Sequence, residues 1–325
     1  MKIGFTAAVL LCLILTGCGS SEMQKERTVF AMDTAVTVKG TEQDIETAIG
    51  ILNTLDPLFD RYSPTSDIYV LNSRGNAGIS DFTRDVIIRS AELEAEFGSG
   101  ASIFAGDITD AWDIGSDNPK VPSEAEIAAA LESTSAADFS IDSMSFTDEN
   151  GSIDLGSVAK GYALDKINER LSDEVCVVSM TSSVLLHGEK DGGKPFSVSI
   201  RNPSDSGGTL GTLRTEECFL STSGGYERFF EADGQRYIHI FDLSTGRPCE
   251  SGLSSVTVIS KSGIESDFLS TLIFAGGIES LGKFMEMPDL GIIAVTEGGI
   301  VYTSPGVDFT LDGDCGYVLE VWKNE

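Results

Sequence analysis

The chain has 325 residues, is 41 % hydrophobic and 8 % aromatic, and carries a formal net charge of −29 from 51 acidic and 22 basic side chains. That length and apolar content exclude a disordered chain and are enough for a sizeable core, in one large domain or two modest ones. Nucleic acid is excluded as a partner, because a phosphate backbone needs Lys and Arg to displace its counterions. An anionic small molecule is not excluded, provided that a metal ion, a helix N-terminus or local basic residues offset the field.

Residues 1–17 form a targeting segment. Lys2 supplies a positive start and Ile3 to Leu15 an apolar run too short to span a bilayer comfortably. Leu15-Thr16-Gly17-Cys18 then resembles a bacterial lipobox, in which Cys18 takes lipid and becomes the new N-terminus. An ordinary signal peptide or an N-terminal membrane helix are the alternatives. The expectation is therefore a chain anchored by lipid to the extracytoplasmic side of the cell membrane, with residues 18–27 as a tether that begins Gly19-Ser20-Ser21. Outside the cytoplasm, Cys176, Cys218, Cys249 and Cys315 are free to form disulfides. Four cysteines allow three full pairings, and spacing does not choose among them. No CxxC pair is present, which argues against a thiolate zinc site.

From Thr28 to the end the chain reads as one unit, with no fixed-period repeat and no interdomain linker. Thr28 to Val38 alternates like a first strand. Thr41 opens a helix carrying Ile45, Ile49, Leu52 and Leu55, and Arg61 to Asn72 is a turn-rich stretch around Pro64. A second helix is expected over Asp81–Phe97, and Ser123 with Glu126 forms a capping box for a third. Beyond Phe139 short β segments dominate, interrupted by helices near Ser157–Leu171 and Glu265–Ala275, the latter ending at Gly276-Gly277. Helices mixed irregularly with antiparallel-looking strands predict an α+β fold.

Three segments carry chemistry. Asp154-Leu155-Gly156-Ser157 leads into a helix with Lys160 in its first turn. Free N–H groups at such an end, together with a lysine, favour phosphate; a surface lysine on a capped helix is the alternative. Asp267 and Thr271 stand at i and i+4, so a carboxylate and a hydroxyl share one helical face and can reach one hard cation such as Mg²⁺. An Asp near a helix start with a back-bonded Thr explains the same pair without a metal. Last, Asp233-Gly234 marks a hairpin that delivers His239, one of two histidines, beside Phe241 and Asp242. A structural His and a proton-transfer His are both open there.

These segments, in this order behind a lipobox, resemble the ApbE family of FAD:protein FMN transferases. Phe30-Ala31-Met32-Asp33-Thr34 is similar to the family's opening Met-Gly-Thr strand. Arg61 to Asp67 with Leu71-Asn72, and Asp110-Ala111-Trp112 with Pro122-Ser123, are similar to further family segments. The resemblance implies that Met32, Tyr62, Asp154, Lys160 and the backbone around Phe241 contact FAD. It implies that Asp267, Thr271 and the Ser157 carbonyl hold Mg²⁺, and that His239 aids catalysis alongside Lys160. The implied reaction moves FMN from FAD onto a Thr or Ser hydroxyl of an acceptor flavoprotein subunit, forming a phosphoester and releasing AMP. Hydrolysis of FAD to FMN and AMP, or flavin binding without catalysis, are the alternatives. The chain departs from the family pattern at Gly100-Ala101-Ser102, at Ser179-Met180-Thr181-Ser182 and at Asp242-Leu243.

Overall fold

The computed structural model describes residues 25–74, 78–134, 139–146, 151–205, 207–313 and 315–323. The targeting segment and Cys18 lie outside the described residues.

The expected first strand is a hairpin of β1 (Lys25–Ala31) and β2 (Thr34–Gly40). Met32 and Asp33 form its two-residue turn, at φ 52° and 57°, the positive values that a type I′ turn requires. Helix α1 (Glu42–Phe59) starts at Thr41, whose side chain accepts the Asp44 N–H, and buries Ile45, Ala48, Leu52 and Leu55 along one stripe. The stretch expected to be turn-rich, Arg61 to Asn72, runs into a short helix, α2 (Asp67–Arg74). Helix α3 (Asp81–Phe97) has the predicted bounds, capped by Ser80. After a 3₁₀ turn at Ser99–Ala101 come α4 (Gly106–Trp112) and α5 (Glu124–Glu132), the latter with both bonds of the Ser123/Glu126 capping box. A two-residue ribbon, β3 (Phe139–Ser140) with β4 (Ser145–Phe146), precedes α6 (Ala159–Asn168).

The second half supplies β5 (Cys176–Met180), β6 (Ser183–His187), β7 (Phe196–Arg201), β8 (Thr209–Thr215) and β9 (Cys218–Gly224). The predicted Asp233-Gly234 hairpin joins β10 (Phe229–Ala232) to β11 (Gln235–Ile238). It is followed by the small pair β12 (Phe241–Asp242) and β13 (Arg247–Pro248), then β14 (Leu253–Ser260). Helix α7 (Gly263–Met285) does not end at Gly276-Gly277 as expected. It kinks there, with Gly277 at φ 70°, where a Cβ would sit 2.7 Å from the Ser251 carbonyl oxygen. The chain closes with β15 (Gly291–Thr296), β16 (Ile300–Thr303), β17 (Asp308–Leu311) and β18 (Val318–Val321).

Three layers result. The central sheet has the order β1-β2-β5-β6-β9-β14-β15-β16-β18, antiparallel except where β16 meets β18. Its inner strands β5, β6, β9, β14 and β15 are buried on both faces, and alternate residues go to opposite cores. Leu185, Phe219, Ile292 and Ala294 face the helices α1, α6 and α7. Val184, Leu186, Leu220, Ile293 and Val295 face the smaller sheet β17-β8-β7. A satellite cluster of Ile108, Trp112, Ile127, Ala130 and Phe241 ties α4 and α5 to β12. This is the α+β architecture expected from the sequence. Cys176, Cys218, Cys249 and Cys315 are all free thiols, the first three buried, so none of the three possible pairings is formed.

Candidate functional site

A cleft of about 560 Å³ opens where the helix layer meets the β1–β2 turn and the loops after β9 and β11. Met32, Tyr62, Asp154, Ser157, Lys160, His239, Phe241, Asp267 and Thr271 all line it. The three segments that depart from the family pattern also reach it, through Gly100-Ala101-Ser102, Ser182 and Leu243.

One wall is aromatic and apolar. Met32 is fixed by its turn, where its N–H donates to Asp56 Oδ1 at 2.8 Å. Tyr62, 64 % exposed, presents its ring to the cleft with the Arg61 guanidinium 5.4 Å from its centroid. Phe241 is buried against Trp112 at 6.4 Å. Trp112 in turn donates its Nε1–H to the Gly246 carbonyl at 2.8 Å, which holds the β12–β13 loop in place.

Arg61 belongs to a segment that the sequence marked only by resemblance, yet it organises the adjoining wall. Its nearly buried guanidinium donates to Asp154 Oδ2 at 3.1 Å and to Asp110 Oδ2 at 2.9 Å. Asp154 also accepts the Gly156 N–H at 2.8 Å. Burial alone would raise the pKa of Asp154; the Arg61 charge and the Gly156 amide outweigh it, so the carboxyl lies below its ordinary value. Asp154 is therefore a fixed anion that shapes the loop before α6.

The expected row of free amides at the start of α6 is absent. The helix begins at Ala159 rather than Ser157, and the Val158 and Ala159 N–H groups donate to the Leu155 carbonyl. Gly161 N–H donates to Asp267 Oδ2 at 2.9 Å, and the Lys160 amide also bonds that carboxylate. Because the Gly161 amide turns to Asp267, it does not take the Ser157 carbonyl four residues back. The Ser157 hydroxyl donates to the Ala101 carbonyl at 2.9 Å. What the helix start offers an anion is the side chain of Lys160, which forms no salt bridge among the described residues although its charge acts on Asp267 and His239.

Asp267 is buried, 5 % exposed, and also accepts the Ser183 hydroxyl at 3.2 Å. Burial raises its pKa, against the opposing effects of Lys160 and its hydrogen bonds. One turn on, Thr271 Oγ1 back-bonds to the Asp267 carbonyl at 3.3 Å and lies 3.1 Å from Ser223 Oγ. The Asp267 carboxylate, the Thr271 hydroxyl and the carbonyl of Ser157, which takes no backbone hydrogen bond among the described residues, are hard oxygen donors on residues lining one cleft. Among the described residues no group of three or more His, Cys, Asp and Glu side chains forms a metal cage. That combination fits Mg²⁺, which takes one or two carboxylates and leaves its other positions to water and phosphate.

His239 follows β11 and is held by its neighbour across the hairpin. Its backbone N–H and its Nδ1 both contact the Arg228 carbonyl, at 3.2 and 3.1 Å. A carbonyl only accepts, so Nδ1 carries the proton and Nε2 keeps its lone pair. Burial, then the nearby Arg228 charge, push its pKa down to about 4. The ring is a neutral base near pH 7. Arg228 and Glu227, just before β10, also line the cleft; neither was marked in the sequence, since a single Arg or Glu ahead of a strand carries no pattern.

The sequence model of the ApbE family matches residues 32–295. A FAD:protein FMN transferase of Klebsiella pneumoniae (strain 342) is 31 % identical over 217 residues, 64 % of this chain and 67 % of that protein. The FAD:protein FMN transferase of Escherichia coli (strain K12) is 26 % identical over 259 residues, 75 % of this chain and 74 % of that one. In three dimensions the chain resembles the crystal structure of an ApbE protein from Thermotoga maritima with a TM-score of 0.79, at 28 % identity, covering 87 % of this chain and 97 % of the other. The apo flavinyl transferase ApbE of Pseudomonas stutzeri superposes with a TM-score of 0.73, also at 28 % identity, over 89 % and 94 % of the two chains.

Proposed function

We propose, from the premise that this chain belongs to the ApbE family, that it transfers FMN from FAD to a Ser or Thr hydroxyl of an acceptor protein, with Mg²⁺ as its metal. The observation that carries the proposal is convergence: residues as far apart in sequence as Met32 and Thr271 meet in one cleft, and each brings a part that phosphoryl-type transfer needs.

The apolar wall of Met32, Tyr62 and Phe241 suits the flavin ring. Lys160 meets the pyrophosphate, and Arg228 adds a second positive charge to a chain that is otherwise strongly acidic. Asp154 holds the loop ahead of α6 through Arg61 and Gly156. Asp267, Thr271 and the Ser157 carbonyl would hold Mg²⁺, which neutralises charge on phosphate oxygens when bound. His239, neutral and with Nδ1–H fixed, takes the acceptor hydroxyl proton at Nε2. The acceptor oxygen bonds to the phosphorus on the FMN side, the bond from that phosphorus to the bridging oxygen breaks, and AMP leaves with that oxygen.

The proposal extends to location. Residues 1–17 act as leader, Cys18 as the lipidated residue and the stretch up to residue 24 as tether, three residues shorter than expected because Lys25, Glu26 and Arg27 pair in β1; the rest is the catalytic unit on the outer side of the cell membrane. Leu15-Thr16-Gly17-Cys18 supports this reading. Incorporation of labelled palmitate that persists in Cys18→Ala refutes it.

Incubation of the protein with FAD, Mg²⁺ and a Thr- or Ser-containing acceptor, followed by mass spectrometry, tests the activity. Covalent FMN on the acceptor is the expected result. Free FMN and AMP without labelled acceptor indicate a hydrolase, and intact FAD indicates a binder. Lys160→Gln is expected to lower transfer by about 10²-fold or more, the scale for loss of one charge-stabilising group.

A further inference from the structure

Helices α6 and α7 are locked together by two carboxylates that cap in opposite directions. Asp267 of α7 accepts the Gly161 N–H of α6 at 2.9 Å. Asp165 of α6 accepts the N–H groups of Gly263 and Ile264, the first two residues of α7, at 2.6 and 3.1 Å. Each helix thus satisfies donors that the other's start leaves open, and each carboxylate sits at a positive dipole end. Between them the contact is backbone on backbone. A Cβ on Gly161 would lie 2.1 Å from the Gly263 carbonyl oxygen, and one on Gly263 would lie 2.3 Å from that of Gly161. Arg89 of α3 pairs with the buried Asp165 at 3.1 Å, so its charge is compensated. Unlike Asp267, Asp165 does not line the cleft.

We propose that Asp165 is a positioning residue for the metal site. By pinning the first turn of α7 onto α6, it sets Asp267 and Thr271 against Lys160 and the Ser157 carbonyl. The proposal rests on the assignment of Asp267 and Thr271 as Mg²⁺ ligands. Asp267 is one helical turn beyond Gly263, so a slide or rotation of that turn carries its carboxylate directly. Mg²⁺ tolerates little such movement, because it requires near-octahedral geometry with oxygens at about 2.0–2.1 Å. Groups that orient a metal ligand without touching the metal are typically worth about 10–100-fold in affinity.

The test is Mn²⁺ binding to FAD-free protein, read by the EPR signal of the free ion, with FAD binding in EDTA measured in parallel by flavin fluorescence. Asp165→Asn keeps the size of the side chain and one acceptor oxygen; Asp165→Ala keeps neither. The expected result is about 10-fold weaker Mn²⁺ binding for Asn and about 100-fold weaker for Ala, with FAD binding in EDTA within about twofold of wild type. Transfer by Asp165→Asn is expected to recover at saturating Mg²⁺, a split in metal dependence that a general loss of fold does not produce. Wild-type Mn²⁺ affinity in Asp165→Asn overturns the positioning role, as does parallel loss of Mn²⁺ and FAD binding. Wild-type affinity in Asp267→Ala overturns the ligand assignment and the proposal with it. If Asp165→Asn does not fold, Arg89→Gln, which loosens the same carboxylate from outside, carries the test: Mn²⁺ affinity lowered several-fold supports the role, and unchanged affinity overturns it.

Discussion

Replacing Gly161 with Ala adds one methyl group where, among the described glycines, a Cβ would meet its nearest neighbour most closely. That carbon would lie 2.1 Å from the Gly263 carbonyl oxygen, 2.5 Å from its carbonyl carbon and 2.7 Å from Asp267 Cβ. The first two are backbone atoms, so no flexible side chain can give way. Bringing the closest contact to 3.0 Å requires α6 and α7 to part by about 0.9 Å. The same movement stretches the 2.9 Å bond between Gly161 N–H and Asp267 past the range of a hydrogen bond, about 3.2 Å. Overpacking costs about 1–3 kcal/mol and an unsatisfied buried group about 1–3 kcal/mol more, so about 2–6 kcal/mol together. For a chain of this length that lowers Tm by about 3–10 °C. Gly50 provides the contrast: it lies in α1, with no atom within 4 Å of an added Cβ. There the same substitution should stabilise by about 0.5–1 kcal/mol through helix propensity. Scanning calorimetry of both variants gives the comparison. A Gly161→Ala protein that melts with wild type and keeps full transfer activity would refute the close-packed contact and everything built on it.

Other outcomes follow from the same geometry. Trp112→Phe removes the Nε1–H bond to Gly246 behind Phe241 and should lose about 1–3 kcal/mol in urea denaturation, together with weaker FAD binding; unchanged FAD affinity means that the β12–β13 loop does not need this anchor. His239 has a folded pKa of about 4 against an ordinary value of 6.5, so the folded chain binds fewer protons there than the unfolded chain. Its contribution to stability is complete above about pH 6.5 and is lost as pH falls toward 4. Across that window the Tm of wild type should fall more steeply than that of His239→Gln, and parallel curves would show that the ring titrates normally. Cys176, Cys218 and Cys249 are buried, and burial pushes their thiols up to about 12, 11 and 12. They should resist a thiol reagent until denaturant opens the fold; rapid labelling of any of the three in the native protein contradicts their placement.

The sequence was most legible where local chemistry determines the outcome. Asp81 and Phe97 bound α3, Ser123 and Glu126 start α5, and Asp233-Gly234 turns a hairpin, because each signal acts within a few residues. The β1–β2 turn escaped notice because Met32-Asp33 is not a usual type I′ pair; the pairing of the strands forces both residues to positive φ. Gly276-Gly277 read as a helix end, whereas the chain resumes helical geometry after one deviant residue. At the site, the residue types and their spacing pointed to Lys160, Asp267 and Thr271. Their arrangement was not readable, since of the amides expected to face phosphate that of Gly161 is held by Asp267 from 106 residues away and those of Val158 and Ala159 by the Leu155 carbonyl. Arg61 is a similar case: its meaning lies in Asp110 and Asp154, which are distant in sequence.

That separation of 106 residues has a consequence for how the protein is made. The length-dependent part of closing such a loop costs about 4 kcal/mol, so the contact forms only when the sheet between α6 and α7 repays it. An N-terminal fragment ending before Gly263 contains Lys160 without Asp267, and its α6 lacks the cap for its own first turn. During synthesis the chain therefore cannot set Lys160 against Asp267 until residue 267 has emerged. Under the proposed metal assignment, topology alone keeps the growing polypeptide without its site.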